Sequence, residues 1–327
     1  MQMLASIFSP GVVITALEVG CIYALVALAL FISYSTLNIA DLSTDGCFTL
    51  GCAVCCQVTV TLSANPVLAP AAPVLALLAA MLTGVCSGFV TAFLQTKLGV
   101  ESIMAGIVVN TGLYTINLAV MGFASQMSLL KIPTIYSGFE ALLPKALGPF
   151  SGLILSALVA VAAGALITLF MGTRLGLSVR ATGENADMVR ASSINPAFTI
   201  TVGLCVSSAL TALSGALLAQ YQKGADINVG TGMVTIALAS LIIGETLIGK
   251  GGMVRRVAGV ILGSCIYRFA VAVALRFNLP AAALKLVSAV IVGVAIAMPA
   301  IQKRAEFHKR RAAARAAART EAKGGVR

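Results

Sequence analysis

The sequence predicts an all-α, polytopic membrane helical bundle of about nine spans, and three observations carry that reading. Hydrophobic residues make up 59% of the chain and charged residues 10%, against about 45–50% and about 25% in soluble domains. The apolar residues fall in blocks of about 20, the length a helix needs to cross a hydrocarbon core of about 30 Å. The blocks do not alternate polar with apolar residues, as barrel strands do over about 10 positions. Lipid offers backbone N–H and C=O groups no partners, so the blocks are helices.

The blocks lie at 11–33, 42–62, 71–94, 101–122, 152–171, 198–220, 229–247, 257–277 and 283–301. The first lacks a basic n-region and a small-residue cleavage site, so it is expected to stay as a span rather than act as a cleaved signal. Arg174, Arg180 and Arg190 lie between the fifth and sixth blocks, and Lys250, Arg255 and Arg256 between the seventh and eighth. The tail from Gln302 to Arg327 holds nine Lys or Arg against two Glu. Such charge marks cytoplasmic segments, which puts these three inside, with 123–149 and the N-terminus outside. The tail serves as a topological anchor, with membrane lipid a second partner for its charge. Its alanine-arginine run, Arg311 to Arg319, lacks aromatic residues for stacking bases, so no nucleic acid is expected.

The chain repeats itself. Ile39-Ala40-Asp41-Leu42 leads into the second block and Gly224-Ala225-Asp226-Ile227 into the seventh. The third block carries Gly84 and Gly88, the eighth Gly259 and Gly263, each pair at the spacing of close helix packing. Two four-helix units follow, 11–122 and 198–301, joined by one extra helix at 152–171. A single connecting helix inverts the second unit, the arrangement that places a transport path at the repeat interface. The chain thus divides into a first membrane repeat (1–122), an external loop with connecting helix (123–171), a cytoplasmic loop (172–197), a second repeat (198–301) and the basic tail (302–327).

Ionisable residues are expensive within a bilayer and so are candidates for function. Glu18, Glu245 and Arg268 lie in spans, Asp45 near the start of the second, and Asn110 in the fourth. Each either lines a pathway or makes an interhelical bond. The eight cysteines sit in or beside apolar runs and read as packing residues. No metal site is expected, since the one histidine, His308, is in the tail. Gly244 to Lys250 fits the first seven places of a phosphate-binding loop, but Gly251 stands where Ser or Thr should hold Mg²⁺. No nucleotide site or enzyme motif is therefore expected.

The loop after the fifth block reads Arg180-Ala-Thr-Gly183-Glu184-Asn185-Ala-Asp-Met-Val-Arg190-Ala191-Ser-Ser-Ile194-Asn195-Pro196. Asn185 is a good N-cap, Asp187 suits a first helical turn and Arg190 a last. Gly183 permits a sharp turn before the helix and Pro196 ends the element. A short capped helix on the cytoplasmic face suits docking into a partner.

This loop resembles the coupling segment of the ABC permease family that imports branched-chain amino acids, ribose and related solutes. Gly183-Glu184-Asn185 match its characteristic stretch, Ala191 and Ile194 follow in place, and Ser193 replaces the usual Gly. Gly224-Ala225-Asp226, Gly230-Thr231-Gly232-Met233 and Gly244-Glu245 are similar to the family's second half, and Leu37 to Asp41 to its first. The similarity covers about residues 11–301 and is greatest to the amino-acid-like, uncharacterised branch.

The resemblance implies the permease of a type II importer in the bacterial cytoplasmic (inner) membrane. It implies three partners: an ABC ATPase subunit that uses ATP and Mg²⁺, an extracytoplasmic substrate-binding protein, and a second permease copy forming a homodimer. The chain itself is expected to carry no cofactor. Asp45, Asn110, Asp226, Thr231 and Met233 become candidates beside the pathway, and Arg180, Gly183, Glu184, Asn185, Arg190 and Ala191 candidates for coupling to the ATPase. The cargo implied is an amino acid, hydrophobic or aromatic. An ion-driven secondary carrier or channel is the competing reading, with Glu18 or Asp45 titrating; a structural protein is the other.

Overall fold

The computed structural model describes residues 10–276, apart from 131, 143, 145–147, 149 and 250, together with 289, 290, 293, 294 and 297. The expected ninth span, 283–301, lies almost wholly outside the described residues, and the basic tail wholly so. The helices are α1 (Pro10–Leu30, continued by a π-helical turn Phe31–Thr36), α2 (Thr44–Ser63), α3 (Ala72–Thr96) and α4 (Ser102–Val120). A short strand β1 (Gln126–Ser128) and α5 (Ile135–Leu142) precede α6 (Ser151–Gly172), α7 (Arg174–Glu184), α8 (Ala186–Ala191) and α9 (Pro196–Gln222). Strand β2 (Gly224–Asp226), α10 (Met233–Ile248) and α11 (Met253–Arg276) complete the order. Among the described residues seven helices, α1 to α4, α6, α9 and α11, are long and apolar enough to cross a membrane. The chain is a polytopic helical membrane protein.

Two details differ from the sequence reading. The bundle is not purely helical: β1 and β2 pair antiparallel, with Gln126 opposite Asp226 and Ser128 opposite Gly224. These strands follow α4 and α9, where Phe123 and Lys223 both take left-handed backbone (φ 60° and 55°) and turn the chain. The expected seventh span shrinks to α10, 16 residues, or about 24 Å of helix. The glycines at 230 and 232 hold off helix formation until Met233; Gly232 is itself left-handed at φ 86°.

Helix α9 packs on α1, α2 and α3, while α1 packs on α9, α10 and α11. The third helix of each unit thus lies on the first helix of the other. Hydroxyls knit these contacts. Ser207 and Ser214 of α9 donate to the Ala29 and Ile22 carbonyls of α1 at 2.8 and 2.6 Å, and Ser264 of α11 donates to the Gly20 carbonyl at 2.7 Å. Small and hydroxyl residues do this in membranes because they let backbones approach and satisfy polar atoms internally. The middle of α1, from Ile22 to Ile32, is buried on every side, as an all-round apolar sequence requires.

The two repeat anchors have different fates. Asp41 accepts the Ser43 amide at 2.8 Å and Asp226 the Asn228 amide at 2.7 Å, so the repeated Ala-Asp steps form the same two-residue turn. The glycine pairs serve different interfaces. A Cβ at Gly84 would lie 2.6 Å from Ala212 Cβ, and one at Gly88 2.7 Å from the Leu204 carbonyl, both on α9. A Cβ at Gly259 would lie 3.0 Å from the Gly244 carbonyl and one at Gly263 2.6 Å from the Gly244 amide, both on α10. The α1–α11 contact uses Gly20 instead, whose Cβ would meet Cys265 Cα at 2.9 Å. Gly84→Leu is expected to cost about 1–3 kcal/mol or more through overpacking and to reduce the monodisperse yield on size exclusion. Gly112→Leu, on an open helix face with nothing within 4 Å, should behave like the parent.

Candidate functional site

The segments 37–43 and 227–232 are breaks that bring the start of α2 against the start of α10. Asp45, in the first turn of α2, accepts the Gly232 amide on one carboxylate oxygen and the Val234 amide on the other, each at 2.9 Å. These are N–H groups that α10 cannot satisfy by itself, and the positive end of its dipole favours the carboxylate. Phe48, one turn beyond Asp45, stacks on Tyr23 with ring centroids 5.9 Å apart. Helix α10 therefore starts level with the middle of α1.

The other end of α10 is held as firmly. Glu245 accepts from Ser35 and from the Arg256 guanidinium, both at 2.9 Å. Arg256 also donates to Ser35 at 2.7 Å and lies 4.9 Å over the Phe31 ring. This half-buried cluster joins the π-helical turn of α1, the end of α10 and the start of α11. A π turn widens the backbone ladder, and here it carries both Phe31 and Ser35.

The loop 172–197 is more helical than its sequence suggests. It folds as α7 and α8, hinged at Asn185, whose side chain accepts the Met188 amide at 3.0 Å and caps α8. Gly183 is not a turn before the helix; it lies in the last turn of α7. A Cβ there would collide with the Thr36 carbonyl and lie 2.8 Å from Leu37 Cα. Val179, Thr182 and Val189 face inward, and Thr182 shares a 2.7 Å hydroxyl contact with Thr199 of α9. Outward stand Glu184, Asp187, Met188 and Arg190, with Ala191 closing α8 and Arg180 part-exposed on α7. Asp187 and Arg190 sit 3.6 Å apart, a solvent-screened pair of little energetic weight. Ser193, where the resembled family has Gly, takes left-handed backbone at φ 62°, the conformation glycine adopts without a steric penalty.

Of the five pathway candidates, Asp45, Thr231 and Met233 meet at the α2–α10 junction, Thr231 exposed and Met233 buried. Asn110 is near the same turn from α4, its side-chain oxygen 2.6 Å from where a Cβ on Gly46 would be. Asp226 is apart, in the sheet, accepting from Gln126 at 2.9 Å. Glu18 accepts the Tyr221 hydroxyl at 2.8 Å. The sequence reading missed Ser35 and gave Arg256 only a topological role; Ser35 carries no signal, but Glu245 in a span implied a basic partner.

The bundle thus joins two breaks at the α2–α10 junction and docks a two-helix elbow on the end of its first helix. The family model described as "Branched-chain amino acid transport system / permease component" matches residues 12–298. The chain belongs to that family. This permease is 31% identical over 280 residues to "Tyrosine transport system permease protein" of Clostridioides difficile (strain R20291), covering 86% of this chain and 88% of the relative. It is 28% identical over 290 residues to an uncharacterised protein of Rickettsia prowazekii (strain Madrid E), covering 88% and 97%. No solved structure gives a significant match. The permease is a component of an amino acid ABC transport system.

Gly183 lies against the Thr36 carbonyl, the neighbouring Ser35 binds Glu245 at one end of α10, and Asp45 binds the amides at the other end.

Proposed function

We propose that this permease forms the translocation pathway of an ATP-driven importer for a hydrophobic or aromatic amino acid, with ATP and Mg²⁺ used by a separate ATPase subunit. The observation that carries the reading is the α7–α8 elbow. Its inner face is locked to α1 and α9, while Glu184, Met188 and Arg190 are exposed where a partner can meet them. In this reading the elbow faces the cytoplasm with the C-terminus, in the bacterial inner membrane. The sheet of β1 and β2, at the other end of α9, faces an extracytoplasmic substrate-binding protein. A second copy completes the pathway as a homodimer, with Asp45, Asn110, Thr231 and Met233 near it. The tyrosine transport relative supports an aromatic cargo. Closure of the ATPases would push the elbow, and the Thr36–Ser35–Glu245 contacts would tilt α10 between two accessible states.

The test is uptake of labelled tyrosine, phenylalanine and leucine into proteoliposomes holding permease and ATPase, with binding protein outside. Uptake of at least one of them is expected only with ATP inside. Uptake by the permease alone under a proton or sodium gradient would instead establish an ion-driven carrier.

A further inference from the structure

Arg268 of α11 is a cation within a membrane span, and its guanidinium lies 3.6 Å over the Tyr23 ring. Its buried Nε has no hydrogen-bond acceptor among the described residues. Among the described residues no carboxylate comes within ion-pair distance of it. The chain cannot easily supply one. Of its eleven Asp and Glu, Glu18, Asp41, Asp45, Asp226 and Glu245 are engaged elsewhere in the bundle. Glu101, Glu140, Glu184 and Asp187 are exposed, Glu306 and Glu321 lie in the tail, and residues 277–301 contain no acid at all. A charge with no counter-ion inside a membrane span is costly.

Arg268 also lines a cavity of about 500 Å³ between the first half of α1 and the last half of α11. The size suits a small ligand. The walls near the guanidinium are aliphatic, from Val12, Ala16, Val19, Val271 and Leu275, with Thr15 the other polar side chain. We infer that this cavity binds an organic anion, its carboxylate or phosphate on the Arg268 guanidinium and its apolar body against those walls. The guanidinium fork is shaped for such groups. Tyr23 links the guanidinium to Phe48 of α2, but the cavity is lined by α1 and α11 alone, and the inference does not depend on the proposed import function.

Two sources share this chemistry, the carboxylate end of a cargo amino acid and the headgroup of an anionic lipid. The test is calorimetric titration of the full chain in phosphatidylcholine nanodiscs with 3-phenylpropionate, its neutral alcohol 3-phenylpropanol, and L-phenylalanine. The acid should bind at least tenfold more tightly than the alcohol. Arg268→Gln should lose at least tenfold of that affinity. Ala272→Phe, which fills the cavity and keeps the guanidinium, should do the same and serves if the Gln variant fails to fold. L-Phenylalanine binding as tightly as the acid identifies cargo as the source; loss of the signal in phosphatidylglycerol nanodiscs identifies lipid. Equal affinity for acid and alcohol, or acid binding undiminished in Ala272→Phe, would overturn the assignment.

Discussion

Asp45→Ala is expected to lower amino acid uptake at least tenfold and to reduce the thermal stability of the purified permease. Its carboxylate holds the Gly232 and Val234 amides at 2.9 Å, and hydrogen bonds to a charged group are worth about 1.5–3 kcal/mol each. Alanine removes both and leaves two part-buried donors of α10 without partners, which is costly. Asp45→Asn keeps one carbonyl acceptor and should fall between alanine and the parent in a thermal-unfolding assay. A purely structural role would lower stability and leave uptake per folded molecule unchanged. The reading of Asp45 as the grip on a moving helix requires uptake per folded molecule to fall as well.

Gly183→Leu is expected to abolish coupled transport, with substrate-stimulated ATP hydrolysis reduced at least tenfold. The α-carbon of Gly183 lies against the Thr36 carbonyl and Leu37 Cα, and these backbone atoms cannot rotate aside as a side chain could. Forcing a branched side chain into such a contact costs about 1–3 kcal/mol or more, which α7 relieves by lifting off the end of α1. Insertion and the bundle core should survive, because Val179, Thr182 and Gly203 hold the base of the elbow at separate contacts. Size exclusion of the variant beside its ATPase assay separates lost coupling from lost folding.

The spans were legible because apolar blocks of bilayer length have one physical solution, and α1 to α4, α6, α9 and α11 begin within a few residues of the expected positions. Asn185 was legible for a similar reason: an amide side chain two residues before Asp187 has a local job as a cap, and local jobs show in sequence. What stayed hidden depends on long-range meetings. Gly183 looks like a turn glycine, yet it sits in a helix because the chain 147 positions earlier passes against it, as the contact with Thr36 requires. Ser35 is one serine among many until Glu245 and Arg256 converge on it. The shortening of the seventh span has a visible cause in Gly230 and Gly232, but only Asp45 explains why the helix then starts where it does. The repeated Ala-Asp steps were legible and realised as matching turns, whereas the glycine pairs matched in spacing and not in partner.

The most direct test of the central claim, that α7 and α8 couple this permease to an ATPase, is substrate-stimulated ATP hydrolysis by the reconstituted complex carrying Glu184→Arg. Glu184 is exposed at the hinge and takes part in none of the contacts that lock the elbow to the bundle. Reversing its charge should therefore leave the permease folded and inserted, while repulsion or lost pairing at a partly desolvated contact weakens docking. The account predicts that stimulated hydrolysis falls at least tenfold and that the ATPase no longer copurifies. Parent-level hydrolysis and copurification with Glu184→Arg, and again with Asn185→Ala, would contradict it and leave the elbow a connection between two spans.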